Sequence, residues 1–525
     1  MHATLMKRLA FAVGCSFCAC GNGASGVPGS QDAAPSPDAS KDAGAPPFDA
    51  GDGATSGGSQ LLDGLDPASA KYKAIGRFHG SLTCTAVFVQ TSPNPAAPAY
   101  ALTSGHCPAI LGANDVTLDA EAGSDFRVVF NYFANTEQAR VQVPVARIEH
   151  ATMKGHDIAV LKLARTVGEL GTLGIAPLEI AASSPSAGTP LDVVGAPLDT
   201  SQADDFLRRE RCMGRTSSVN LVEFHWHFFD AQANDCIDIR SGSSGSPVFV
   251  HAGTRIHALM NTTARGSDGT TDCYANRPCE LTATGYTVRP DASYATPVAG
   301  LGGCFDARGL FDRRRAQCPL DDGRQLQVEG GPLGANQPYV MDNGVRRRLR
   351  WDRALHHAEF THYRYKTGPA HATNCRDLAG YGAPTALTAT SVIRDEVPEA
   401  EGFYYLCLLG GRSPTPDSTW QNPRFVRIEQ VQIDTTPPQR LPGTLVHDFG
   451  AEGLRVELIF YPPELSQYRY KVGPSASTDC AQPDGYDDYL RIAIPILRED
   501  LPAKLCIVGQ DEAGNAAPPF ARTFE

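Results

Sequence analysis

Apolar and polar positions alternate with period two along much of the chain beyond Ile75. Val128, Phe130 and Tyr132 alternate with Val129 and Asn131, the pattern of a half-buried strand. Similar runs predict short strands over residues 84–89, 100–103, 126–132, 141–148, 157–163, 191–194, 221–228, 247–250 and 256–260, with Gly and Pro turns between them. A series of this kind predicts a closed all-β barrel architecture. Further along, Tyr363-Arg364-Tyr365-Lys366-Thr367-Gly368-Pro369 followed by Cys375 reappears as Tyr468-Arg469-Tyr470-Lys471-Val472-Gly473-Pro474 followed by Cys480. The second cysteines, Cys407 and Cys506, again sit in apolar strand-like runs. This is duplication at domain scale, and each unit of about 100 residues reads as a small β-sandwich.

The amino terminus breaks the pattern. Lys7 and Arg8 precede an apolar run from Leu9 to Gly14 that ends at Cys15, a secretory leader too short to be a permanent membrane span. Ala12-Val13-Gly14-Cys15 resembles a bacterial lipoprotein signal, in which Cys15 becomes the lipidated first residue. From Gly21 the chain is dominated by Gly, Ala, Pro, Ser and Asp, which cannot bury enough apolar area to offset ordering entropy. A disordered tether is expected over residues 21–64, behind a leader of residues 1–20; a cleaved pro-segment is the rival interpretation.

Of 15 cysteines, Cys15, Cys18 and Cys20 fall in the leader, which leaves an even 12 in an exported chain. Neighbours in sequence suggest Cys84–Cys107, Cys212–Cys236, Cys273–Cys279, Cys304–Cys318, Cys375–Cys407 and Cys480–Cys506, although sequence alone leaves connectivity open. No Cys-x-x-Cys pair occurs after the leader, so zinc is a poor alternative. His225 and His227 would share a face of one strand, yet no third ligand is evident near them, and they are read as strand decoration, as are His150 and His156. The net charge of −12 argues against a nucleic-acid partner.

Chemistry concentrates in three stretches. In Ser241-Gly242-Ser243-Ser244-Gly245-Ser246-Pro247 a serine lies among glycines, so its hydroxyl can stand clear while nearby amides point at an incoming carbonyl. Such a serine needs a base and a carboxylate to orient that base. Ser104-Gly105-His106-Cys107 ends one strand, and Asp157-Ile158-Ala159-Val160-Leu161 opens another. Together, in the order His, Asp, Ser, these stretches resemble the trypsin/chymotrypsin-fold serine endopeptidases, particularly their bacterial branch.

The resemblance covers residues 65–305 and implies two barrels with the site between them; it says nothing of either end, where the duplicated stretch reads as a connector at 306–330 and immunoglobulin- or fibronectin-III-like sandwiches at 331–432 and 433–525. It makes His106 the general base and acid, Asp157 its orienter and Ser244 the nucleophile, with the backbone N–H groups of Gly242 and Ser244 as the oxyanion hole. Cys84–Cys107 resembles the bridge that clamps the histidine loop in this family. Ser243 stands where animal relatives carry the aspartate that receives a new amino terminus, so maturation by that insertion is not expected. Asp238, six residues before Ser244, occupies the position that receives Lys or Arg side chains in trypsin-like members, and Arg240 offers an internal counter-charge; Asn261 is expected on the opposite wall. The implied activity is cofactor-free hydrolysis of polypeptides, outside the cytoplasm, by a secreted or lipid-anchored enzyme. The alternatives are an esterase with the same triad, or a surface adhesion protein whose sandwiches touch a surface or protein partner and whose protease fold is vestigial.

Overall fold

A computed structural model describes residues 58–198, 205–265, 273–438, 443–459, 467–490 and 492–525. Cys15, the leader and most of the expected tether lie outside the described residues. The first part of the fold consists of β1 (Ser59–Leu61), β2 (Ile75–His79), β3 (Thr83–Val89), β4 (Pro98–Thr103), β5 (Val116–Glu121), β6 (Arg127–Phe130), β7 (Val141–Thr152) and β8 (Ile158–Thr166). Strands pair in the order β7, β6, β2, β3, β4, β8, and a further β7–β8 pairing closes the ring, with β5 outside on β7. The alternation at 128–132 does not make a half-buried strand: Val128 and Phe130 are fully buried, but Val129 and Asn131 on the other face are buried too, because that face is also covered, and Tyr132 is only partly buried. A capping box starts the short α-helix Val167–Thr172, where Glu169 N–H donates to Thr166 Oγ1 and Thr166 N–H donates to Glu169.

The second barrel is built from β9 (Pro190–Gly195), β10 (Arg208–Glu223), β11 (Trp226–Asn234), β12 (Pro247–Val250) and β13 (Ile256–Thr263), with β14 (Cys279–Thr282), β15 (Gly285–Val288) and β16 (Ser293–Pro297) after it. The ring runs β10, β9, β12, β13, β16, β11 and back to β10, while β14 and β15 form a hairpin hung on β10. One expected strand, over 221–228, is instead the end of β10, a turn and the start of β11. Phe224 takes a positive φ of 57°, and Glu223 pairs with Trp226 across the hairpin. His225 therefore sits in the turn and His227 on the returning strand, so the two histidines do not share a strand face.

Two segments outside residues 65–305 pack on the barrels. Residues 59–61, assigned to the tether, pair with Arg208, Arg209 and Glu210 of β10. The connector lies against the first barrel: Phe311 N–H donates to Tyr100 Oη, Phe305 stacks edgewise on Tyr100, and Leu320 joins the common apolar core of the barrels. The six disulfides among the described residues are the pairs that sequence neighbourhood suggests.

Each carboxy-terminal unit stacks two sheets. In the first, strands Gln327–Glu329, Arg353–His356 and Val392–Ile393 face a sheet that includes His362–Pro369, Gly402–Gly411 and Arg427–Ile433, with fully buried Trp351 in the core between them. The repeated motif has a structural cause. Arg364 and Lys366, two apart on a strand and so on one face, donate to backbone carbonyls of Tyr381 and Gly382 and of Asp377 and Ala379 beyond Cys375. Arg469 and Lys471 repeat the arrangement on the carbonyls of Tyr486, Gln482 and Asp484.

Candidate active site

The three stretches converge where the barrels meet. Gly105 permits the approach of the first two: a Cβ there would lie 1.9 Å from the Thr152 carbonyl oxygen and 3.0 Å from Asp157 Oδ1. Asp157 is fully buried and uses both oxygens on one residue. Oδ1 accepts the His106 backbone N–H at 3.0 Å, and Oδ2 faces His106 Nδ1 at 2.7 Å. The imidazole side chain keeps 21% of its surface exposed. Burial alone would disfavour its protonated form, but the charge and hydrogen bond of Asp157, with a smaller contribution from Glu223, raise its pKa above the ordinary 6.5.

The serine loop is tied to the histidine loop through shared partners. Met260 O accepts both the Gly245 N–H (2.8 Å) and Ser104 Oγ (3.1 Å). Thr85, next to Cys84, donates its N–H to Ser244 O and its Oγ1 to Gly242 O, both at 2.9 Å, while Cys84 is bonded to Cys107 beside His106. From Gly242 to Phe249 every residue is buried except Ser244, which is partly exposed. Gly242 adopts φ +83°, a conformation that glycine takes without strain. Among the described residues, neither the Gly242 nor the Ser244 N–H has a protein acceptor, whereas Ser243 N–H bonds Arg240 O and Ser246 N–H bonds Ser243 O. The group with metal-ligand spacing at the site, Cys84, His106 and Cys107, has both sulfurs committed to the disulfide.

Residues 84–256, which contain His106, Asp157 and Ser244, match the family model of the trypsin-like peptidase domain. This segment, about a third of the chain, is similar to trypsin-like peptidase domains. Similar solved structures include a thermostable serine protease, AL20, from an extremophilic microorganism (20% identity, 43% of this chain and 92% of that one, TM-score 0.29). Neuropsin, a serine protease of mouse brain (15%, 45% and 93%, TM-score 0.28), and human heparin binding protein (13%, 47% and 92%, TM-score 0.29) are also similar. No curated protein matches the chain.

Beside the peptidase serine loop, Asp238 is already engaged. It accepts from Ser59 N–H and Ser59 Oγ and pairs with Arg240 at 2.9 Å. Burial pushes its carboxyl up, but these partners more than offset it and hold the pKa below the usual value. Asn261 lies half-buried at the bulge between Met260 and Thr262 of β13.

Glu223 is the site residue that sequence reading passed over. It is 6% exposed, its Oε1 accepts the Asn276 N–H at 2.7 Å, and burial pushes its pKa up to about 7, with the Asp157 charge adding to the shift. Its signal was an acid inside an otherwise apolar run. Thr85 left no signal, because its role depends on what lies across two loops.

Proposed function

We propose that this chain is a secreted or lipid-anchored serine endopeptidase in which His106, Asp157 and Ser244 hydrolyse peptide bonds through an acyl-enzyme, without a cofactor. The observation that carries this reading is the His106–Asp157 pair, locked by two hydrogen bonds, on a loop that Met260, Thr85 and the Cys84–Cys107 bridge tie to the loop of the partly exposed Ser244. Ser244 Oγ attacks the scissile carbonyl carbon as its proton passes to His106 Nε2. Asp157 holds the proton on Nδ1 and stabilises the imidazolium. The Gly242 and Ser244 N–H groups receive the developing oxyanion, a contribution of ~10²–10³ in rate per donor. His106 then protonates the leaving amine, and a water, activated by the same imidazole, releases the acid.

At the specificity pocket, a Lys or Arg side chain of the substrate competes with Arg240 for Asp238, so the basic preference is modest. The leader, Cys15 and the six disulfides support export and lipid anchoring, with residues 65–305 as the catalytic unit. Contact with a surface or protein partner falls to the immunoglobulin-like carboxy-terminal domains. The test is covalent labelling of the full chain by a fluorophosphonate probe, together with casein cleavage. Wild type is expected to label and cleave, and Ser244→Ala to do neither while keeping its melting temperature; labelling that survives the substitution overturns the assignment.

A further inference from the structure

The loops that carry His106 and Asp157 are both fastened to the first sandwich. Asn114, in the loop between β4 and β5 that contains His106, binds Ile428 with both ends of its amide. Its Nδ2 donates to Ile428 O at 2.7 Å and its Oδ1 accepts Ile428 N–H at 3.1 Å. Lys154, in the short connection from β7 to Asp157, donates to Phe425 O at 2.8 Å and pairs with Asp321 at 2.7 Å, with both side chains at least 95% buried. A single stretch, 425–428, thus holds both loops.

The duplication supplies a second, independent observation. Strand Gly402–Gly411 is buried on both faces: Tyr404, Leu406 and Leu408 point into the sandwich, while Phe403, Tyr405 and Leu409 share a core with Val222 and the Cys273–Cys279 bridge of the peptidase domain. Counting from Cys506 on the matching strand of the second sandwich, Lys504 stands for Tyr405 and Val508 for Leu409, and both are only half-buried. The outer face of one copy is apolar and covered; that of the other is partly polar and partly wet.

We propose that the first sandwich is a built-in positioning element of the peptidase, and that Asn114 and Lys154 are positioning residues that set His106 and Asp157 for proton transfer. This rests on the triad reading above. Released from 425–428, the His106 loop still has the Cys84–Cys107 bridge and the Trp226 Nε1–H donated to Leu111 O, and the Asp157 loop still has the Phe229 N–H donated to Gly155 O, but the anchor common to both is lost; a displacement of about 1 Å at such a site costs ~10²-fold in rate.

The experiment uses the full chain with Asn114→Ala and, separately, Lys154→Met combined with Asp321→Leu, so that no buried charge is left unpaired. Lys471→Met, which removes a similar lysine–carbonyl contact in the second sandwich, is the control. The fluorophosphonate labelling rate, kcat and KM for a peptide ester, and near-UV circular dichroism are measured together. In both test variants the labelling rate and kcat are expected to fall ~10- to 100-fold with KM nearly unchanged and the dichroism intact; the control stays at wild-type rates. Wild-type labelling rates in the test variants overturn the proposal, and so does a loss of labelling that accompanies loss of the dichroism, because the role is then merely structural. Failure of the triad reading is separately visible, as absent labelling of wild type or persistent labelling of Ser244→Ala.

Discussion

Asp157→Asn is the sharpest test of the proposed proton relay, because the hydrogen bonds dictate how the new amide must sit. The His106 backbone N–H points at Oδ1, 3.0 Å away, and can only donate, so the asparagine oxygen must take that position. Its NH2 then replaces Oδ2, 2.7 Å from His106 Nδ1, and it too can only donate. The imidazole is forced into the tautomer with its proton on Nε2, facing Ser244, and loses the lone pair that accepts the serine proton. Nothing else need move, since Asn is isosteric with Asp in a fully buried site. Holding the wrong tautomer costs ~10⁴ in kcat in triad enzymes, or about 5 kcal/mol of transition-state stabilisation. The pH profile gives a second readout. Activity requires neutral His106, whose pKa is raised mainly by Asp157 against the opposing effect of burial, so the acid limb of kcat/KM lies above 6.5 in wild type and moves down in the variant. Stopped assays on a peptide ester between pH 5 and 9 measure both. A variant within tenfold of wild type at neutral pH, with Ser244→Ala inactive, would refute the argument.

Two further outcomes follow from buried and paired carboxylates. Glu223 titrates near 7 in the folded chain against 4.5 ordinarily, so the native state holds its proton longer than the unfolded state, and stability falls as pH rises from about 4.5 to 7, by roughly 3 kcal/mol in all. Glu223→Gln removes that dependence; the melting temperature of the variant should gain on wild type across this window, and parallel melting curves would count against the burial argument. Arg240→Ala frees one side of Asp238, so cleavage after Lys or Arg should rise about tenfold relative to cleavage after neutral residues, equivalent to one charge-assisted bond of ~1.4 kcal/mol. A mixed peptide library measures the ratio, and an unchanged ratio means that Asp238 does not read the substrate.

Much of this protein is legible because its signals are local. Strand periodicity around 128–130, glycines beside Ser244, and the apolar strand following Asp157 follow from steric rules that act within a few residues. Even the duplication shows in the repeated Tyr-Arg-Tyr-Lys segments, because each copy folds its disulfide loop back onto its own strand. The single strand expected over 221–228 shows the limit: apolar composition supplied a run, but Phe224 turns the chain there, a choice that rests on pairing Glu223 with Trp226 and not on either residue alone.

What the tertiary structure decided is which surfaces meet. Asn114, Lys154, Phe403 and Tyr405 carry no motif; their meaning comes from partners hundreds of residues away, across a shared core that no local pattern encodes. Asp238 is similar, since only the closure of β1 onto β10 brings Ser59 to it. The sequence by itself determined the chemistry on offer, as residue types at short spacings. The structure determined which groups are dry, paired and aimed, because desolvation and hydrogen-bond geometry depend on everything packed around a side chain.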